Sequence, residues 1–253
     1  MKLHFLPGGR LRMRRSIYVP GSAKDETIEL PVHAALVRHL QANLLFDTGC
    51  NPEAATEPER RWGGLSRVMT PVFKAEETVV HQLGKIGLTP SDIDLVVCSH
   101  LHPDHCGCNE YFRRATILCH AAELEAAQAE GAEQQGYLSR EWKQPQGFRT
   151  FDTQHDVFGD GKMVLVPMPG HTPGSTVARV GLDNDGTFVL ASDAAPLQSS
   201  IDSGVPPRNT WNMDLAAAAL AEFRKWREAG ETVVSGHDDE QWKHLRKGAE
   251  FYE

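Results

Sequence analysis

No stretch of this sequence approaches the roughly 18 consecutive apolar residues that a membrane span requires. The N-terminal segment MKLHFLPGGRLRMRRS has no uninterrupted apolar block of signal-peptide length either. A cytoplasmic protein that makes no use of a membrane is therefore expected. Basic charge is also short: 26 Lys and Arg stand against 34 Asp and Glu, for a formal net charge of -8. Without a basic field to displace counterions, nucleic acid is a poor candidate partner. Cysteine is too sparse for a disulfide framework. The five present (Cys50, Cys98, Cys106, Cys108 and Cys119) are odd in number and unpaired in spacing, so reduced thiols are expected. There is no low-complexity tract, no like-charge block and no 20–50-residue repeat.

What is present suits a globular enzyme. Hydrophobic residues make up 40% and charged residues 24% of 253 positions, close to the globular average. That length holds one large domain or two small ones, and a single domain over residues 1–253 is the expectation. Its 22 Gly and 15 Pro favour many turns over long helices. Short apolar runs bounded by Gly, Pro and Asp predict strands over 31–40, 43–46, 94–98, 115–119, 163–167, 175–180, 187–191 and 232–234. A helical period predicts a helix over 75–86, with Val79, Val80, Leu83 and Ile86 on one face. A second is predicted over 213–229, with Leu215, Leu220, Phe223 and Trp226 on one face. The segments 51–71, 131–148 and 196–211 show no sustained period, as lids and pocket walls often do not. They carry Trp62, Trp142 and Trp211, which either line a pocket or anchor loops to the core.

The chemistry concentrates after the apolar run 94–98, in Ser99-His100-Leu101-His102-Pro103-Asp104-His105-Cys106-Gly107. Three imidazoles and a carboxylate within six positions form a metal-site composition. Residues two apart in extended chain point the same way, so His100 and His102 can reach one ion. Pro103 keeps a helix from running back through them, and Asp104 and His105 then turn toward a second position. Six residues cannot close two four-ligand shells, so further donors are expected just past strand ends. His171, in Pro169-Gly170-His171-Thr172-Pro173-Gly174-Ser175, is one. Asp193 after Thr187–Ser192 and His237 after Thr232–Gly236 are the others. Asp47, also past an apolar strand, is either a turn residue or a partner that orients a ligand imidazole.

Beyond the metal motif, several segments carry a wider likeness. They are Leu3-His4-Phe5-Leu6-Pro7-Gly8-Gly9, Phe46-Asp47-Thr48-Gly49-Cys50, Lys85-Ile86-Gly87-Leu88 to Asp94, Ser235-Gly236-His237-Asp238, and Glu250-Phe251-Tyr252. With these, the sequence resembles the metallo-β-lactamase superfamily nearly end to end. Within it, the likeness is to the quorum-quenching N-acyl-homoserine lactonases and their γ-butyrolactone- and pyridoxolactone-cleaving relatives. The resemblance implies an α+β fold, an αββα sandwich of two β-sheets with helices outside and the metals at one sheet edge. It implies that His100, His102 and His171 hold one divalent ion, that Asp104, His105 and His237 hold a second, and that Asp193 bridges them. Zinc suits these donors, and Mn, Fe and Co tolerate the same set. The implied activity is hydrolysis of lactones, either N-acyl-homoserine lactones or smaller γ-lactones, by a metal-activated hydroxide. Asp104 and Asp193 are then the catalytic carboxylates, and Asp104 relays a proton to the leaving alkoxide. The partner is a small-molecule lactone or ester. A homodimer is compatible with the sequence, which does not determine the oligomeric state.

The sequence departs from the lactonase pattern at Pro196, three residues after Asp193, where the family places a Tyr that holds the substrate carbonyl oxygen. Ser199, Ser200 and Asn209 are candidate replacement donors on the same loop. Position 175 reads Ser where many relatives have His, and the family uses no ligand at Cys106 or Cys108. Two alternatives stand beside the lactonase reading: hydrolysis of another ester, thioester or phosphoester, and a redox iron centre or inactive binding module. The complete second donor set of Asp104, His105 and His237 argues against a one-metal iron centre.

Overall fold

In the computed structural model, which describes residues 1–253, two mixed β-sheets pack face to face. The larger sheet has seven strands: β1 (Lys2–Arg14), β2 (Thr27–Arg38), β3 (Asn43–Phe46), β4 (Thr70–Pro71), β5 (Leu95–Val97), β6 (Thr116–His120) and β7 (Arg149–Phe151). Their spatial order is β4-β1-β2-β3-β5-β6-β7. The smaller sheet has five: β8 (His155–Asp156), β9 (Met163–Pro167), β10 (Thr176–Leu182), β11 (Gly186–Ser192) and β12 (Thr232–Ser235), in the order β12-β11-β10-β9-β8. The helices are α1 (Pro52–Thr56), α2 (Pro58–Trp62), α3 (Val79–Lys85), α4 (Pro103–Cys106), α5 (Ala121–Gln128), α6 (Ser139–Trp142), α7 (Gln198–Ser203), α8 (Met213–Glu228) and α9 (Asp239–His244). None is long and apolar enough to cross a membrane.

Alternation along the strands creates the layers. Leu44 and Phe46 of β3 face the smaller sheet, where they meet Phe188 and Leu190 of β11. Leu45 of β3 points the other way and packs with Val79 and Leu83 of α3. On the opposite side, Val189 and Ala191 of β11 face outward onto Leu220 and Phe223 of α8. Each sheet thus buries both faces, and the order helix, sheet, sheet, helix follows. Fully burying a side chain such as Leu45 or Phe223 contributes about 1.5–3 kcal/mol.

Both sheets present the carboxyl ends of key strands at one edge. β3 pairs in parallel with β5, and β11 in parallel with β12. Asp47 leaves β3, the His100 segment follows β5, Asp193 leaves β11 and His237 follows β12.

Several expectations are corrected. The chain opens on a 13-residue strand, β1, over a segment not expected to be a strand, and β2 begins at Thr27 rather than residue 31. Pro7, Gly8 and Gly9 read as turn residues, yet the cross-strand pairing with β2 continues past them through a register shift between Pro7 and Gly9. The helix expected over 75–86 is broken at Thr78 into a 3-10 turn and α3. In α8, Leu220 and Phe223 are buried, but Leu215 is exposed and Trp226 only partly covered, so the buried face is completed by Ala216 and Ala219. The three segments without a period contain short helices: α1 and α2, α6, and α7.

Two of those segments are clasped together. Glu141 of α6, wholly buried, accepts from Arg61 Nε at 2.7 Å and Nη2 at 2.8 Å, and from Trp62 Nε1 at 2.9 Å. Burial raises the Glu141 pKa, and the bonds and charge of Arg61 oppose that shift. Removing Glu141 leaves Trp62 Nε1 unpaired and Arg61 with only the more exposed Glu110 and Glu53, at 3.0 and 3.4 Å, so Glu141→Ala is expected to cost about 1–3 kcal/mol in chemical denaturation. A loss below about 1 kcal/mol would place this pair with exposed ion pairs.

Candidate metal centre

After β5 the chain bends at Ser99 and His100, His102 has an extended backbone, and Pro103 then occupies the first position of α4. This break sends His100 and His102 one way and Asp104 and His105 another. The rings of His100 and His102 lie 4.6 Å apart, edge to face, with His100 Nε2 3.1 Å from His102 Nδ1. His171 Nε2 approaches the same His102 Nδ1 at 3.2 Å. Nitrogens bound tetrahedrally to zinc at about 2.0–2.1 Å stand about 3.3–3.4 Å apart, so the three atoms already outline one face of such a shell.

A second group sits beside it. Asp104 Oδ2 is 3.5 Å from His105 Nε2 and 3.7 Å from His237 Nε2. Asp193 lies between the groups: its Oδ1 is 2.8 Å from His237 Nε2 and 3.3 Å from His105 Nε2, and its Oδ2 is 3.4 Å from His171 Nε2. All seven residues singled out in the sequence are brought together. Their donor atoms fall into three overlapping sets, each within 4.8 Å, and all but the half-buried His102 are buried. Neither Cys106 nor Cys108 joins a set; both thiols sit in the apolar core, where burial raises their pKa.

Outer partners determine which ring nitrogen faces inward. His102 Nε2 donates to the Gln135 carbonyl at 3.0 Å, His237 Nδ1 to the Pro31 carbonyl at 2.9 Å, and His105 Nδ1 to Asp47 Oδ2 at 2.8 Å. Because these acceptors have no proton to give, the inward nitrogen of each of the three rings carries a lone pair whenever that ring is neutral, as a metal ligand must be. Lone pairs facing one another and facing two carboxylates repel unless a cation lies among them. His105 Nε2 and Asp193 Oδ1 are in fact buried without a hydrogen-bond partner. The donor set therefore fits divalent ions.

Asp47 does more than orient His105. Its Oδ1 accepts from Ser99 N at 2.7 Å, and its Oδ2 also accepts from Ser99 Oγ at 2.8 Å. Ser99 Oγ in turn lies 3.0 Å from His100 Nδ1 and 2.8 Å from Ser192 Oγ. Asp47 and Ser192 are the two non-glycine residues with positive φ, at 63° and 46°. Such conformations cost about 1–3 kcal/mol each and persist where surrounding bonds hold them. Glu123 of α5 was not foreseen: wholly buried, it accepts from Leu101 N and Gly174 N, both at 3.0 Å, and so braces the His100 loop against the His171 loop. A Cβ at Gly174 would stand 2.3 Å from Glu123 N, so the close approach excludes any larger residue. One Glu in a short, weakly patterned helix gives no signal of this role.

Without ions, the two halves differ in charge. Burial, then the neighbouring imidazoles His105 and His102, lowers His100 well below its usual value; burial and His171 bring His102 to about 3. Burial also lowers His105 and His237, but the carboxylates override it: Asp104, Asp47 and Asp193 raise His105, and Asp193 and Asp104 raise His237.

A cavity of about 370 Å³ opens on His102 and His171. Met13, Ile17, Leu65, Met69 and the half-exposed Trp211 give it an apolar wall, and Tyr137 and Asn209 add polar atoms. Of the three tryptophans, only Trp211 lines it; Trp62 and Trp142 are buried as loop anchors. Of the candidate replacement donors, Asn209 reaches this cavity, whereas Ser200 is buried in α7 and Ser199 is not in the lining. The Pro196 carbonyl accepts from His237 N at 2.8 Å, so this residue supports the His237 turn through its backbone.

This arrangement at a shared sheet edge belongs to a recognisable class. Residues 27–237 match the metallo-β-lactamase superfamily, and the chain belongs to it. Over 261 residues it is 31% identical to the N-acyl homoserine lactonase AttM of Rhizobium radiobacter, an alignment that covers 100% of this chain and 98% of the relative. It is 30% identical over 278 residues to the N-acyl homoserine lactonase AiiB of Agrobacterium fabrum, covering 100% and 99%. Among solved structures, it is similar to an N-acyl homoserine lactone hydrolase with the product N-hexanoyl-L-homoserine at its catalytic metal centre. That match has a TM-score of 0.88 and 26% identity over 99% of this chain and 98% of the other. Superfamily membership and the His/Asp sets together support a pair of divalent ions.

Two outcomes are expected. Asp47→Asn puts an amide where two oxygens accept from four groups, Ser99 N, Ser99 Oγ, His105 Nδ1 and Ser192 Oγ, and should weaken metal affinity about 10–100-fold in competition with a chelator. Unchanged affinity would reduce Asp47 to a turn residue. The neighbouring carboxylates make His105 and His237 hold a proton more tightly than a free imidazole does in the metal-free protein. Ion binding should therefore release protons, and fewer of them as pH rises. Calorimetry in buffers of different ionisation enthalpy measures this, and release of none would contradict the assignment.

Proposed function

We propose that this protein hydrolyses lactones, with N-acyl-homoserine lactones as substrates. In this reading His100, His102 and His171 hold one divalent ion, Asp104, His105 and His237 hold the other, and Asp193 spans both. The observation that carries it is the Asp193 carboxylate, with one oxygen toward His237 and His105 and the other toward His171. The names and bound product of the similar proteins supply the substrate class. Zinc is the ion best matched to five imidazoles and two carboxylates, and Mn, Fe and Co are compatible.

When bound, the ion pair supplies Lewis acidity toward the ester carbonyl and ionises a water near neutral pH. The residues of the chain do the rest. Asp193 and Asp104 offset part of the cationic charge, so the site keeps a net attraction for a developing oxyanion. Asp104, buried beside His105 and His237, is placed to pass a proton to the ring oxygen as it leaves. The apolar wall of Met13, Ile17, Leu65 and Met69 takes up the acyl chain and excludes water from the reacting ester. Asn209 is the side-chain amide of the loop that can meet the carbonyl oxygen where position 196 has no phenol. A small soluble lactone fits this cavity; a nucleic acid does not match the acidic balance of the chain.

A panel of lactones, thioesters and phosphodiesters with metal-replete protein tests this reading. Lactone opening should exceed the other reactions, and Asp193→Asn should cost more than the 10–100-fold typical of an orienting partner. Retained turnover with both ions bound would show that Asp193 does not span them, and faster thioester or phosphodiester cleavage would move the assignment to those substrates.

A further inference from the structure

The cavity at His102 and His171 adjoins a second one of about 500 Å³, and Met13, Ile17, Val68 and Arg208 line both. This outer cavity is lined by four arginines, Arg12, Arg14, Arg67 and Arg208, and by no Asp or Glu. Arg12 is neutralised by Glu29 at 2.8 Å, and Arg67 stands 3.8 Å from Glu59. Arg14 and Arg208 have no carboxylate within ion-pair distance. Arg14 ends β1, and Arg208 is fixed nearby because its backbone N–H donates to the Ile17 carbonyl at 2.8 Å.

A solvated arginine on a surface needs no explanation. Four around one concavity, two of them unpaired, in a chain of net charge -8, do. A concave basic site with apolar walls concentrates potential on whatever enters it, and guanidinium forks match carboxylate and phosphate oxygens. The apolar stretch between the imidazoles and the arginines has the polarity of a hydrocarbon chain. We propose that the preferred substrate carries an anionic group, a carboxylate or a phosphate, at the end of its acyl chain remote from the scissile ester, and that Arg14 and Arg208 bind it. This rests on the lactone-hydrolase reading and narrows its substrate class to anionic esters.

The test compares kcat/KM for N-octanoyl-, N-suberoyl- and terminally phosphorylated N-acyl-homoserine lactones of matched chain length, in the native protein and in Arg14→Gln/Arg208→Gln. An anionic terminus is expected to be preferred about tenfold, through KM, with the preference falling to about twofold or less in the double variant and at about 0.5 M salt. Whichever anionic substrate leads identifies the group. Equal or slower turnover of both anionic substrates overturns the proposal, as does a preference that survives the double substitution; in either case turnover of the octanoyl compound leaves lactone hydrolysis standing. If no lactone is opened, the hydrolase reading fails, and calorimetric titration of the zinc-loaded protein with suberate against octanoate decides the subsite. Tighter binding of suberate, lost in the double variant, supports it, and equal binding of the two overturns it.

Discussion

The structure depends on one electrostatic constraint: lone pairs and carboxylate oxygens converge in a largely buried cluster with a single opening at His102 and His171. Five imidazoles, Asp104 and Asp193 meet at the carboxyl edge of both sheets, and outer bonds aim one nitrogen of at least three of the rings at the common centre. Such a cluster cannot exist on its own charges. It either collects protons, as His105 and His237 do when carboxylates raise them, or collects cations. Everything nearby serves that convergence. Asp47 and Ser192 accept left-handed backbone to reach it, and Glu123 gives up solvent to brace two of its loops. Leaving the two amides that Glu123 satisfies unpaired would cost about 1–3 kcal/mol each.

The site was largely legible in the sequence because its parts lie just past short apolar runs that end abruptly. His100, His102, Asp104 and His105 sit in one short run, and Pro103 explains why they diverge into two groups. His171, Asp193 and His237 could be placed by the same strand-end rule. The outer partners were mostly invisible. Ser99, Ser192 and Glu123 are ordinary residues until the fold places them beside a ligand ring or a loop amide, and only Asp47 stood at a strand end that drew notice.

The fold was legible in its centre and less so at its margins. β3, β5, β6 and β9 to β12 match short apolar runs, because both faces of these strands are buried and the runs are nearly continuous. β1 escaped detection because Pro7, Gly8 and Gly9 interrupt its pattern, and its extended form is held by cross-strand bonds to β2 rather than by local preference. Leu215 and Trp226 of α8 misled for the opposite reason: their spacing suits a buried face, but small alanines fill the contact with the sheet. Departure from the family at Pro196 acquires a structural reading as well, since that residue contributes a backbone carbonyl to the turn carrying His237.

The Arg61–Glu141 clasp joins two pocket walls that contribute none of the clustered His and Asp side chains. Floor and walls of the cavity are therefore largely separate inheritances, joined where His102 Nε2 donates to the Gln135 carbonyl. Sheet ends and their outer bonds carry the reactive cluster, while the walls are set by loops pinned to each other. Substitutions such as those at Leu65 or Met69 can reshape the opening without touching the bonds that hold the cluster. A lineage can thus drift in what it admits while its chemistry stays put, provided the clasp survives.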